Sequence, residues 1–348
     1  MRAGLSNPGV RAALAAAVLF GAGTPIAKLL LGTVSPWILA GLLYCGSGVG
    51  LLAYRLVRRL RTPRLAPGEL WPLAGAVVAG GIVGPVLLML GLAAMPASGA
   101  SLLLNAEAVF TVLLAWLVFG EHVGRRLLLG MGAIVAGAVV LSVPGSASLG
   151  GAWPALAVLG ACLAWGLDNN LTRKVVSADA TWVAAVKGCV AGPVNLGLGL
   201  SLGAALPSGP AVAAAMAVGL VAYGVSLALF IVALRHVGTA RAGAYFSTAP
   251  FFGAVLALVL GEPVSWPLLV AGALMGVGVW LHLSERHAHA HTHEPLTHSH
   301  WHVHDEHHQH EHPGGDVPAG TRHRHEHAHD ELVHSHEHYP DAHHRHSH

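Results

Sequence analysis

Long apolar stretches alternate with short polar loops through the first 284 residues of this chain. The predicted spans cover residues 10–31, 35–54, 70–91, 95–119, 126–143, 153–172, 180–202, 211–234, 238–260 and 266–283. Each stretch is long enough to cross a hydrocarbon core of about 30 Å as a helix. The pattern predicts an all-α membrane protein with ten transmembrane helices, followed by a polar tail.

The few charged residues of the body, in a chain that is 54% hydrophobic and 10% charged, set its orientation. The basic residues recur in alternate loops: Arg55, Arg58, Arg59, Arg61 and Arg64; Arg125 and Arg126; Arg173 and Lys174; Arg235 and Arg241. The intervening loops, near 32–35, 92–97, 144–152, 203–210 and 261–265, contain no Lys or Arg. By the positive-inside rule we expect an inner-membrane protein with both termini in the cytoplasm.

The second half of the body repeats the first. Leu19-Phe20-Gly21 corresponds to Ala164-Trp165-Gly166, and Phe119-Gly120-Glu121 corresponds to Leu260-Gly261-Glu262. Each half holds five spans, so the second must enter the membrane from the opposite side. We therefore predict two inverted five-helix repeats, residues 1–145 and 146–284, and a separate tail, residues 285–348. Inverted repeats around a midplane site are typical of secondary transporters.

These motifs carry a family resemblance. The ten spans, the Phe-Gly or Trp-Gly pair in the first helix of each half and the Gly-Glu turn before each last helix resemble EamA-type permeases of the drug/metabolite transporter superfamily. The resemblance implies a solute carrier whose central cavity is lined by the first four helices of each half. It does not identify the solute.

Four ionisable residues lie deep in the predicted spans: Lys28, Glu107, Asp168 and Lys187. A charge in hydrocarbon needs a partner, a wet cavity or a function. We expect Glu107 and Asp168 to face the cavity, where they would bind a cation or take up a coupling proton. Alternatively, Lys28 and Lys187 neutralise the two acids as buried ion pairs that fix helix packing.

Other residues of the spans complete the predicted cavity: Asn105, Asn169, Asn170, Pro25, Tyr245 and Arg241. A proline inside a span frees a backbone carbonyl that can line a substrate site, although a simple packing kink is an equal alternative for Pro25. Arg241 and Tyr245 lie one turn apart and are candidates for a cytoplasmic gate. Arg241 alternatively serves as an ordinary interfacial anchor.

The tail is dominated by histidine, with 23 of the 26 histidines of the chain between His287 and His348. We predict that it is disordered without ligand and binds divalent metals such as Zn, Ni, Co or Cu at several exchangeable sites. The candidate ligands are His287, His289, His291, His293, His298, His300, His302, His304, His323, His325, His327, His329, His334, His336, His338, His343, His344, His346 and His348. Alternatively, the tail is a polycation that charges at acidic pH.

Several classes of function are disfavoured by the sequence. His325-Glu326-His327-Ala328-His329 matches the HExxH metalloprotease pattern, which has meaning only on a helix of a folded catalytic domain. No GxxxxGK[ST] motif is present, and the basic run from Arg55 to Arg64 lacks the interleaved aromatics of a nucleic-acid site. We expect no enzyme activity, no required cofactor and no nucleic-acid partner.

The leading hypothesis is a secondary transporter for a small solute with a metal-binding regulatory or delivery tail. One alternative is a divalent transition-metal permease, and another is a membrane-anchored metal sensor or buffer without transport. The expected partners are the lipid bilayer, the solute and divalent metals, with a homodimer as a further option.

Overall fold

The computed structural model describes residues 7–119, 124–142, 152–175, 178–283, 287–293, 296–302, 323–329 and 332–338. The chain divides into a helical body that ends at Glu285 and a tail that begins at Arg286. Each of these units is described by itself. The first Gly-Glu turn, Gly120-Glu121, lies outside the described residues.

Ten long helical segments make up the described body. They are α1 (Pro8–Leu30), α2 (Pro36–Val57), α3 (Pro67–Ala93), α4 (Ala97–Val118), α5 (Arg125–Ser142), α6 (Trp153–Thr172), α7 (Ala180–Ser201), α8 (Gly209–Leu234), α9 (Arg241–Val259) and α10 (Trp266–Leu283). In the described ranges, nine of them are long and apolar enough to cross a membrane. The exception is α6, because Asp168, Asn169 and Asn170 lower its hydropathy. The structure thus supports nine candidate spans, and the tenth stays a prediction.

The helices begin where the sequence supplies caps. Asn7 accepts a hydrogen bond from Gly9 N–H at 2.8 Å, and Asp179 accepts one from Trp182 N–H at 3.0 Å. Proline occupies the first turn of several helices, including Pro8 and Pro36. A backbone N–H at that position has no acceptor within the helix, so proline, which lacks the N–H, costs no hydrogen bond there.

The third helix of each half is locally widened. Val77–Val83 of α3 and Leu220–Val225 of α8 are π-helical. Such insertions release carbonyls from the regular ladder and often mark functional sites.

The fourth helix of each half is broken. In α4 a turn at Leu104-Asn105 separates Ala97–Leu103 from Ala106–Phe119, and in α9 a turn at Ser247-Thr248 precedes Ala249–Val259. Pro250 accompanies the second break, but the first occurs without proline.

Helix packing follows the internal repeat. Along the body, α2 packs on α7 and α5 packs on α10, whereas α1 packs on α8 and α9, and α6 packs on α3 and α4. Exchanging each helix with its counterpart in the other half therefore reproduces the same set of contacts.

The α2–α7 contact is antiparallel. Trp37 lies against Gly199, Cys45 against Gly192, and Gly48 against Gly188. A Cβ built on Gly188 would lie 2.4 Å from Gly48 Cα, so the two backbones touch. Small residues permit this close approach in membrane helices.

The glycines of the repeated motif have equivalent positions. A Cβ on Gly21 would lie 2.2 Å from the carbonyl oxygen of Ala249 in α9. A Cβ on Gly166 would lie 3.0 Å from Phe110 Cβ in α4. Each glycine lets the first helix of one half approach the fourth helix of the other half.

The tail contains two antiparallel ladders, and its predicted disorder without a ligand stays a prediction. Strand β1 (His287–His293) pairs with β4 (Leu332–His338), and β2 (Leu296–His302) pairs with β3 (His323–His329). The alternation of histidine with other residues has the two-residue period of a strand, which permits this pairing. The HExxH pattern lies in β3, not on a helix.

The Gly188–Gly48 contact predicts a strong position dependence of glycine substitution within α7. Gly188→Ala should destabilise the body by roughly 1–3 kcal/mol, because the new Cβ meets backbone that cannot move locally. Gly197→Ala in the same helix is the matched control, since a Cβ there has nothing within 4 Å. Thermal unfolding in detergent measures both variants. Equal melting temperatures for the two would contradict this packing.

Candidate functional site

A buried ion pair joins α6 to α7. Lys187 Nζ lies 2.5 Å from Asp168 Oδ1, and the Asp168 side chain is 10% exposed. Thr172, one helical turn after Asp168, donates to the same carboxylate oxygen at 2.8 Å and accepts from Lys187 at 3.1 Å. Each charge has a partner, as burial within membrane-spanning helices requires.

The widened segment of α3 lies directly against this pair. A Cβ on Gly80 would lie 1.9 Å from Asp168 Oδ2, so only glycine fits there. The carbonyl of Gly80 accepts hydrogen bonds from Tyr44 Oη at 2.6 Å and Trp165 Nε1 at 3.0 Å. Asn195 Nδ2 donates to the Gly81 carbonyl at 3.0 Å. Side chains from α2, α6 and α7 thus satisfy the carbonyls of the π-helical segment.

Glu107 lies just after the break in α4 and is half-buried. Asn169 of α6 donates its amide to Glu107 Oε1 at 2.9 Å and to Thr111 Oγ1 at 3.2 Å. The restarted helix also places Glu107 in a first turn, where the helix dipole favours a negative charge. Asp168 and Lys187 are near enough to interact electrostatically with Glu107. We call Glu107, Asp168, Asn169, Thr172 and Lys187 the polar cluster.

Two other predicted asparagines have local partners. Asn170 is 3% exposed and donates to the carbonyls of Thr111 at 3.0 Å and Gly166 at 2.9 Å. Asn105, at the break in α4, is 5% exposed and donates to the Leu102 carbonyl at 2.8 Å. These contacts join α6 to α4 and stabilise the break.

Lys28 lies apart from the polar cluster. Its ammonium donates to the carbonyls of Leu92 at 2.7 Å and Ala93 at 3.0 Å, at the end of α3. Nearby, Glu262 accepts from Ala97 N–H at 2.6 Å and Ser98 N–H at 2.8 Å, at the start of α4. In the sequence, only the repeated Gly-Glu turn pointed to Glu262. Gly261 of that turn has a φ of 103°, in the left-handed region that favours glycine.

Arg55 has a role that sequence reasoning missed, because it was read only as part of a basic loop. It is 5% exposed and binds both carboxylate oxygens of Asp179, at 2.6 and 2.8 Å. Thr181 accepts from Arg55 at 2.6 Å and donates to Asp179. Burial raises the pKa of Asp179, but the hydrogen bonds from Arg55, Thr181 and Trp182 outweigh it and hold the pKa below its ordinary value. This contact ties the end of α2 to the start of α7.

Three predicted cavity residues are not brought to the polar cluster. Pro25 is buried inside α1, Arg241 is exposed at the start of α9, and Tyr245 is half-buried beside Val10 and Val237. The predicted gate at Arg241 and Tyr245 stays a prediction.

Within the residues that the structure describes, no three His, Cys, Asp or Glu side chains come close enough together to hold a metal ion. The backbones of fourteen candidate tail histidines fall in the strands β1 to β4. His304, His343, His344, His346 and His348 lie outside the described residues.

Comparison with known proteins decides the family. Residues 7–143 and 152–284 each match the profile of the EamA-like transporter family. The chain belongs to this family. The resemblance predicted from the sequence is confirmed, and the drug/metabolite transporter superfamily fits. The protein is a multi-pass membrane protein of a transporter family.

Individual relatives agree at the level of transport. An uncharacterized transporter from Methanothermobacter thermautotrophicus is 28% identical over 288 residues, which cover 77% of this chain and 84% of that protein. A riboflavin transporter from Rhizobium johnstonii is 30% identical over 135 residues, 37% of this chain and 43% of that protein. A solved crystal structure, 20% identical, matches 78% of this chain and 95% of its own with a TM-score of 0.58, which shows a shared fold.

Proposed function

We propose that the protein is a secondary active transporter that moves a small organic solute by alternating access, with the polar cluster as its solute and coupling site. The observation that carries this proposal is the polar cluster itself: two carboxylates, an ammonium and an amide held between α4, α6 and α7. Ionisable groups inside membrane helices are costly and are typical of solute and ion pathways. A bundle that served only as an anchor would have no need of them.

The packing supports two inverted repeats. If α2 and α7 are equivalent helices, their antiparallel contact requires that the two-fold axis relating the two halves lie perpendicular to both helices. Such an axis lies in the plane of the membrane. We include α6 as the tenth span, since its polar residues lie against α4 and α7. The alternate basic loops then favour cytoplasmic termini.

Within the polar cluster we assign different roles to the two acids. Asp168 is neutralised by Lys187, whereas Glu107 accepts a hydrogen bond from the neutral amide of Asn169 and forms no ion pair in the described part of the chain. Glu107 is therefore the group that takes up a proton or a cationic solute during the cycle. Its position just after a helix break also matches the discontinuous helices of transporter sites.

Solute exchange in proteoliposomes tests this proposal. The assay uses labelled amino acids, nucleosides and riboflavin, the last because a relative carries that name, with radioactive nickel and zinc in parallel. We expect at least one organic solute to exchange, and Glu107→Gln to slow that exchange by about tenfold or more, since a proton-transfer group typically contributes at least that much.

The matched control is Glu69→Gln, which changes a carboxylate that accepts from Ala66 N–H at the start of α3. It should retain exchange. Exchange by Glu107→Gln at the wild-type rate would contradict the proposal. Exchange of metal alone would favour the metal-permease alternative, for which the described residues of the body offer no three-ligand group.

For the tail we propose metal binding, supported by the register of its ladders. His287, His289 and His291 pair with His338, His336 and His334, and the second ladder likewise has three His–His pairs. Directly opposed residues share a face of an antiparallel ladder, about 5 Å apart. Imidazole is a ligand that suits Zn, Ni, Co or Cu(II), so a register that pairs histidine with histidine favours metal binding. Such a tail would deliver metal or regulate the body.

Metal binding by the full chain tests the register. Replacing His287 and His289 with Ala removes one member of two His–His pairs, so it should lower the bound nickel or zinc in equilibrium dialysis more than replacing His293 and His329, which face Leu332 and Leu296. Equal losses would contradict paired sites, and the absence of binding by the wild type would contradict the metal-binding proposal itself.

A further inference from the structure

A chain of aromatic rings crosses the interface between the two halves. Phe20 contacts Tyr223 and Phe246 with ring centroids 5.8 and 5.3 Å apart. Tyr44 lies 6.0 Å from Tyr223, and Phe230 lies 4.8 Å from Phe246. All five side chains are half-buried. We call these five residues, which come from α1, α2, α8 and α9, the aromatic cluster.

The aromatic cluster adjoins the polar cluster through Tyr44. The Tyr44 ring contacts Tyr223, while its hydroxyl donates to the Gly80 carbonyl at 2.6 Å. Gly80 is also the residue against which the Asp168 carboxylate packs. One side chain therefore links the rings to the charges.

The two clusters occupy equivalent places in the repeat. The polar cluster and its neighbours come from α3, α4, α6 and α7, which correspond to α8, α9, α1 and α2. Phe20 corresponds to Trp165, and Asp168 corresponds to Gly23, each 145 residues apart. The duplicated positions have diverged, so one side of the interface is charged and the other is aromatic. Helix packing alone would not require charged side chains on one side of the interface and aromatic side chains on the other.

We propose that the solute is an organic cation: a planar aromatic or heteroaromatic ring that bears a basic group. This inference rests on the proposed function and specifies the solute class of the same site. The ring would stack on the aromatic cluster, and the basic group would meet Glu107 and Asn169. With both carboxylates ionised, the polar cluster has two negative charges and one positive charge, a balance that is complementary to a cation.

Binding of matched probes to the purified full chain tests the solute class. The probes are tryptamine, which has a ring and an ammonium, pentylamine, which has only the ammonium, and indole, which has only the ring. We expect tryptamine to bind more tightly than either of the others, measured by ligand-dependent thermal shift and by titration. Glu107→Gln should weaken both amines.

Phe20→Leu should weaken tryptamine by about three- to tenfold and leave pentylamine unchanged, because stacking contributes that much. Phe252→Leu, the same substitution at an exposed position of α9 outside the aromatic cluster, is the control and should bind as wild type. Phe20→Tyr keeps a ring and should retain binding, which separates loss of stacking from misfolding.

Three results would overturn the inference: no binding of tryptamine, equal binding of pentylamine, or equal effects of Phe20→Leu and Phe252→Leu. Failure here is distinguishable from failure of the transporter proposal. If a ring-free solute exchanges in proteoliposomes and that exchange depends on Glu107, the transporter proposal stands and the solute class is wrong. If tryptamine binds but no solute exchanges, the transporter proposal is wrong.

Discussion

The contact between the Asp168–Lys187 ion pair and Gly80 constrains the centre of the body more than any other interaction. A buried carboxylate needs an opposite charge nearby. The contact of 2.5 Å between Asp168 Oδ1 and Lys187 Nζ provides that charge and joins α6 to α7. The carboxylate also occupies the space that a side chain on α3 would fill, so α3 must present glycine there. Because α3 is π-helical at this point, its carbonyls need donors, and Tyr44, Trp165 and Asn195 supply them. One charge therefore fixes the positions of four helices.

The internal repeat determines how the helices pack, and the side chains that differ between the two halves form the candidate site. Equivalent glycines, Gly21 and Gly166, allow equivalent close contacts, and both fourth helices break at corresponding levels. The side chains at corresponding positions differ, however, with Asp168 in one half and Gly23 in the other. In the transport cycle that we propose, a bundle of two equivalent repeats with an asymmetric lining alternates between two states of similar energy while it holds an asymmetric solute.

Hydrophobic periodicity predicted the helices well, since each predicted span overlaps a helix of the structure. The sequence suggested, as an alternative, that Lys28 and Lys187 form buried ion pairs with the two acids. Lys187 pairs with Asp168, whereas Lys28 donates to backbone carbonyls. The π-helical segments, the Arg55–Asp179 contact and the capping by Glu262 could not be predicted, because each joins residues far apart in the chain or depends on backbone geometry. Composition predicts a tail that is disordered without a ligand, which stays a prediction, and the two-residue period of its histidines permits the strand pairing.

In the mechanism that we propose, the polar cluster lies on a path that opens to each side of the membrane in turn. Asn169 is the exposed member of the cluster, so Asn169→Cys, with Cys45, Cys162 and Cys189 replaced by Ala, reports on that path. The measurement is the modification rate by a charged, membrane-impermeant thiol reagent added to either side of oriented vesicles. If the path opens to each side in turn, the reagent should modify Asn169→Cys from both sides. Modification from one side only, or from neither, would contradict it.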